Sequence, residues 1–339
     1  AGYDFLLRTR NELHYQTTRL VDDMPKALQP KVAWQLGYKD RSPAGRLEAF
    51  MRDLYTYLRA IHLITRMVER RLALRPKPVR RLPSLRTLFG GGEKTETLDG
   101  FSIIDGELAP ASPRVFKEQP RRLMRVFLHA QQRGLDFHPD LTQLLRDSVS
   151  LVDDGFVHDP EVRETFLEIL NRRGSVAPAL RAMHEVDLLG RYIPEFGRMT
   201  CLVQHEFFHA YAADEHTLVC LGKLDRVWNA QKPPFIHYAH ILQDIDLPYL
   251  LYLALFLHDA GKGMESGDHV KDGTAVALKV GERLGLTPRR LGRLQFLVEH
   301  HLLMAETSQR RDIDSPTVIR QFAETVQDEE NLAMLTLLT

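Results

Sequence analysis

The last third of the chain carries histidines and a carboxylate at positions where they could bind a transition metal. They are His216, the pair His258-Asp259, His269 and the adjacent pair His300-His301. Imidazole and carboxylate groups bind Mn, Fe, Co, Ni and Zn, and the sequence does not select among these ions. This set predicts a metal-dependent phosphohydrolase. The alternative is that several are capping or surface residues, because the chain has 15 histidines.

The pair His258-Asp259 directly follows segment 249–257, which is apolar on every side and is therefore predicted to be the central helix of its unit. A buried carboxylate without a partner is costly, and a metal ion would satisfy both side chains together. His216 is predicted in the first turn of a helix for which Asp214 is the N-cap.

Lys262 follows Asp259 by three residues, close enough to direct its ammonium group at a substrate phosphate. On spacing alone, an ordinary exposed lysine near a helix end is an equal alternative. Adjacent residues on a helix point about 100° apart, so His300 and His301 would address different ions. The sequence therefore predicts two divalent ions, which polarise phosphoryl oxygens and activate water, with Lys262 and Asp259 as the catalytic residues.

Residues 205–209 read His-Glu-Phe-Phe-His, which is the pattern of a zinc-protease helix. Three fixed positions are easily met by chance in a histidine-rich chain. The region also lacks the strand pattern expected of a peptide-binding edge, so a protease is the weaker interpretation.

Helical periodicity dominates the sequence and predicts an all-α fold, in which a helical bundle region precedes a helical metallohydrolase domain. Asp105-Gly106, between short apolar runs, predicts at most a small β-hairpin. The proline-, glycine- and arginine-rich stretch 74–94 is predicted to be a linker. The expected domains are an N-terminal helical region with the linker (1–92), a central helical region with the hairpin (93–199) and the metallohydrolase domain (200–339).

Composition argues against a nucleic-acid or membrane partner. Lys+Arg and Asp+Glu both number 45, and no uninterrupted apolar run reaches the roughly 18 residues of a membrane helix. Cys201 and Cys220 are the only cysteines, which fits a reducing cytoplasm. Because the sequence starts at Ala1 rather than Met, we expect a fragment of a longer protein.

Several segments resemble, in order, the bifunctional uridylyltransferase/uridylyl-removing enzymes that act on the bacterial PII nitrogen-signalling protein. The segments with the metal-ligand pattern are 194–198, 209–218, 251–263, 267–269, 299–304 and 310–314. The likeness continues upstream at 5–14, 36–38, 48–52 and 134–139. It covers nearly the whole chain. The Gly-Ser and paired-carboxylate signature of the transferase and the ACT pattern are both absent, so the chain resembles the middle of such an enzyme.

The resemblance implies an HD-superfamily phosphodiesterase that removes UMP from a tyrosine of PII. It assigns His216, His258 and Asp259 as core metal ligands, and it implies a further Asp ligand beyond Thr339. His269, His300 and His301 match the additional ligands of dinuclear HD enzymes, and Lys262 matches their phosphate-facing lysine.

Two alternatives stay open. One is hydrolysis of a small nucleotide, a cyclic dinucleotide or a guanosine alarmone, at the same metals. The other is a helical regulatory module whose metal site is vestigial. The expected partner is accordingly a PII-type signalling protein or a nucleotide substrate.

Overall fold

The computed structural model describes residues 1–40, 42–73, 96–203, 212–264 and 268–339. The predicted linker 74–94 and the His-Glu-Phe-Phe-His motif at 205–209 lie outside these residues. The described chain is mostly helical. Its helices are α1 (Gly2–Thr17), α2 (Gln29–Gln35), α3 (Pro43–Ala73), α4 (Val115–Glu118), α5 (Arg122–Arg133), α6 (Pro139–Ser148), α7 (Asp154–Val157), α8 (Pro160–Asn171), α9 (Val176–Glu185), α10 (Leu188–Tyr192), α11 (Pro194–Gly197), α12 (Ala213–Trp228), α13 (Phe235–Gln243), α14 (Pro248–Leu257), α15 (His269–Arg283), α16 (Pro288–Glu299), α17 (Leu303–Arg310), α18 (Pro316–Val326) and α19 (Glu329–Leu338).

One small sheet accompanies the helices, in the order β1 (Glu96–Leu98), β2 (Phe101–Ile104), β3 (Glu107–Pro110) and β4 (Asp136–Phe137). The predicted hairpin is confirmed, because β2 and β3 pair antiparallel around Asp105 and Gly106, whose φ angles are +49° and +81°. Two positive φ angles in succession are those of a type I′ turn. β1 pairs antiparallel with β2, and β4 pairs parallel with β3. The mostly helical fold is thus confirmed, with a sheet slightly larger than the predicted hairpin.

The described chain divides into two compact units. Unit 1 comprises Ala1–Val115, Asp136–Leu144 and Cys201–Ala212, and unit 2 comprises Phe116–Leu135, Leu145–Thr200 and Ala213–Thr339. The core of unit 1 forms where α2 and α3 bury Val32, Phe50 and Leu54. The three sequence domains given above stay a prediction.

Unit 2 is built around α14, every residue of which is buried. Phe256 stacks on Phe196 with ring centroids 4.7 Å apart. The prediction that the apolar segment 249–257 forms a central helix is therefore confirmed. No single helix of the described residues is long and apolar enough to cross a membrane. Among the helices of the described ranges, one bent pair, Phe235–Gln243 and Pro248–Gly263, passes that test jointly, with a bend of 119° between its members.

Helix α12 starts two residues earlier than the sequence predicts, at Ala213 rather than Glu215. Asp214 is its second residue rather than its N-cap, and the Asp214 carboxylate oxygen Oδ2 lies 3.1 Å from Nε2 of His184. Both side chains are buried, so this contact gives the buried carboxylate a polar partner. Periodicity also predicts that Leu218, Leu221, Leu224 and Trp228 face inward on this helix; the three leucines are buried, whereas Trp228 is only partly buried.

Candidate metal centre

Three predicted ligands converge in unit 2, where the start of α12 meets the end of α14. His216, His258 and Asp259 each offer a ligand atom, and these atoms all lie within 4.8 Å of one another. Oδ2 of Asp259 is 3.3 Å from Nε2 of His258 and 3.7 Å from Nε2 of His216. His258 is the C-cap of α14, so the buried helix fixes where it and Asp259 stand.

The orientation of two imidazoles is set by backbone carbonyls. Nδ1 of His258 lies 2.7 Å from the carbonyl oxygen of Leu255, and Nδ1 of His301 lies 2.6 Å from that of Val298. A carbonyl oxygen only accepts, so each Nδ1 carries a hydrogen, and Nε2 is the ring nitrogen left to bind a metal. The two rings are 5.5 Å apart between centroids. His301 therefore lies beside the three converging ligands with its coordinating nitrogen available.

The Asp259 carboxyl group at this centre is held in its ionised form. Burial by itself raises the pKa of Asp259, but its contacts with His258 and Lys262 outweigh burial and hold that pKa well below its usual range. Burial lowers the pKa of His301, which keeps that imidazole neutral. An ionised carboxylate and a neutral imidazole are the protonation states that bind metal.

Lys262 lies in the 3-10 turn Ala260–Gly263, directly after Asp259. Its Nζ is 3.0 Å from Oδ2 of Asp259, and its side chain is only 10% exposed. The lysine is thus held at the centre rather than being an ordinary exposed lysine. Its contact with a substrate phosphate stays a prediction.

The turn that carries Lys262 packs against the start of α15 with no side chain between them. A Cβ at Gly261 would lie 2.0 Å from the carbonyl oxygen of His269 and 2.4 Å from the amide nitrogen of Gly273. Both neighbours are backbone atoms, which cannot rotate away. Glycine is therefore required at position 261 for this close approach.

His269 and His300 are placed differently from the converging ligands. His269 is the first residue of α15, it is exposed, and it meets the turn through its backbone carbonyl. The ring of His300 packs on Phe296 with 4.9 Å between centroids, and it lines a separate cavity of about 450 Å³. Within the described part of the chain, neither belongs to the three-residue group. Their role as ligands of a second ion stays a prediction.

Sequence reasoning missed one neighbour of the centre. Cys220 is partly buried, and its Sγ lies 3.6 Å from Nε2 of His216. Burial raises the pKa of this thiol. Its spacing of four residues from His216 on one helix is a signal that predicts the contact.

The donor set fits a first-row divalent ion. It combines imidazole nitrogens with one ionised carboxylate, and backbone carbonyls fix the tautomer of two of the rings. His216, His258 and Asp259, with His301 beside them, are the described residues best placed to hold one.

Fold and site together define a mostly helical protein with a candidate histidine–aspartate metal centre. Residues 1–69 match the family described as GlnD PII-uridylyltransferase, and residues 101–192 match the uridylyltransferase GlnD third domain. Bifunctional uridylyltransferase/uridylyl-removing enzymes from Cereibacter sphaeroides and Azospirillum brasilense are each 34% identical to the chain, and that of Ruegeria pomeroyi is 33% identical. Each alignment covers 99% of this chain.

Over nearly its whole length the chain is therefore similar to bifunctional uridylyltransferase/uridylyl-removing enzymes, which confirms the resemblance drawn from its motifs. It spans only 36–37% of the length of these relatives.

Proposed function

We propose that this chain is a uridylyl-removing hydrolase of the HD superfamily, which cleaves the phosphodiester bond between UMP and a tyrosine of a PII-type protein in the cytoplasm. The convergence of His216, His258 and Asp259 carries the proposal. Further support comes from the relatives, whose name includes uridylyl removal, and from the matching family, whose name includes PII.

The chain's own residues suit this hydrolysis. One or two divalent ions held by His216, His258 and Asp259, with His301, His269 and His300 as further candidates, would supply Lewis-acid charge and activated water when bound. Lys262 places a positive charge where the phosphoryl oxygens gain negative charge as the bond to the tyrosine oxygen breaks. Water adds its oxygen to phosphorus and its proton to the tyrosine oxygen, so the products are UMP and the unmodified protein.

The test is release of UMP from uridylylated PII, together with the metal content of the purified chain. The wild type is expected to bind a transition metal and to release UMP with Mn²⁺ present. His258→Ala and Asp259→Ala should lose both properties, because each removes a ligand. His240→Ala is the matched control, since His240 is an exposed histidine on α13. Full turnover in either ligand variant would contradict the assignment.

The same assay separates the competing interpretations. Cleavage of a cyclic dinucleotide or a guanosine alarmone in preference to uridylylated PII would favour a small-nucleotide hydrolase. A chain that neither holds a transition metal nor responds to added Mn²⁺ would favour a regulatory module without catalysis.

A further inference from the structure

An open cleft of about 1100 Å³ lies in unit 2. Its walls come from the segment around α7, from the α9–α11 region and from the last turns of α15. Eight charged side chains other than histidine line it, with both signs equally represented: Asp153, Asp154, Asp187, Glu282, Arg191, Arg198, Lys279 and Arg283.

One residue of the cleft wall contacts the segment that carries Lys262. Nη1 of Arg198 lies 3.1 Å from Sδ of Met264, which directly follows the turn Ala260–Gly263. The part of the cleft at Arg198 is therefore the part that lies nearest in contact to the predicted reaction site.

The lining favours a polypeptide over other occupants. A groove for nucleic acid carries an excess of positive charge, whereas here the acidic and basic residues balance. The described lining residues include no Phe, Tyr or Trp on which a base could stack. Arg283 is paired with the buried Glu195, and the other seven charged residues are exposed. Exposed charges of both signs can recognise a polar protein segment of mixed sign, because they fix its register and exclude wrong partners.

We propose that this cleft docks the segment of the protein substrate that surrounds the modified residue. The inference rests on the proposed function, because it concerns the substrate of the same site. It implies that the enzyme recognises its substrate through polypeptide contacts remote from the phosphodiester bond, so that substrate affinity and bond cleavage can be separated by mutation.

Two charge reversals test the proposal, Arg191→Glu and Glu282→Lys, both at exposed positions of the cleft. Each is expected to raise KM for uridylylated PII by about threefold to tenfold, with kcat unchanged, because a rim charge acts on encounter and docking. Hydrolysis of bis(p-nitrophenyl) phosphate, which has no polypeptide, should not change. Arg320→Glu, at an exposed position on α18 outside the cleft, is the matched control.

Equilibrium binding of uridylylated PII to the chain, measured with a chelator present to prevent turnover, separates docking from catalysis. Weaker binding by both cleft variants supports the cleft even if UMP is never released, and that result would count against the proposed function alone. Variants that bind PII as well as Arg320→Glu does would overturn the cleft proposal. The cleft proposal would also be overturned if the wild type released UMP from PII and neither reversal changed the KM of that reaction. Failure of the wild type to bind PII would overturn it as well.

Discussion

Replacing Gly261 with alanine should disrupt the candidate metal centre without touching any ligand. The new Cβ would stand 2.0 Å from one backbone atom of α15 and 2.4 Å from another. Carbon and oxygen normally approach to about 3.5 Å, so the turn and the helix must separate by roughly 1 Å or more. Because neither neighbour is a side chain that can rotate, we expect the upper end of the overpacking range, a loss of about 3 kcal/mol in the free energy of unfolding.

The assay is urea unfolding followed by circular dichroism, combined with calorimetric titration of Mn²⁺. Gly261→Ala should lower both the unfolding midpoint and the metal affinity, because the turn directly follows Asp259 and carries Lys262. Gly292→Ala is the control, since a Cβ there meets nothing within 4 Å in the middle of α16. That variant should gain about 0.5–1 kcal/mol from helix propensity. If Gly261→Ala unfolded at the same urea concentration as the wild type and bound Mn²⁺ with the same affinity, the close approach at Gly261 would not be required.

Two further predictions concern the stability of unit 2. Phe256→Ala should cost about 3–5 kcal/mol by urea unfolding, because it empties a fully buried site stacked on Phe196, whereas Leu302→Ala, at a residue 42% exposed, should cost under about 1 kcal/mol. For Glu195, burial raises the pKa, but the hydrogen bonds and charge of Arg283 outweigh it and lower the pKa below 4.5. The folded pKa lies below the unfolded one, so this stabilisation is present above pH 4.5 and is lost as the pH falls through the folded value. Glu195→Gln should therefore be less stable than the wild type at about pH 5, but its free energy of unfolding should fall less between about pH 5 and about pH 3. Equal falls in the two proteins would exclude the Glu195–Arg283 pair as the source of the acid sensitivity.

The features that the sequence predicted well are those with strong local signals. The continuous apolar segment of α14 could only be buried, and Asp105-Gly106 allows the two positive φ angles of a tight hairpin turn. The pairing of His258 with Asp259 at the end of a buried helix also follows from local order. The structure brings His216 to the same place, although the chemical role of these residues stays a prediction.

The features that it did not predict depend on partners far away in the chain. β4 is two residues long, too short for periodicity to detect, and it is a strand only because β3 lies beside it. The partner of Asp214 is 30 residues earlier in the chain, so a local N-cap rule could not anticipate it. His300 shows the same limit of sequence reasoning. Its ring packs on Phe296, one helical turn earlier, and is not part of the group of converging ligands.

The carbonyl contacts to His258 and His301 bear on how an ion would enter the site. Each imidazole is anchored by the carbonyl three residues before it, so its rotational freedom is already lost when the chain folds. Ion association then avoids an entropic penalty of roughly 1 kcal/mol for each ring. The site should therefore be preorganised for metal, so that binding causes little change in amide hydrogen exchange around these two helix ends. A zinc finger differs, because it folds only when its metal binds.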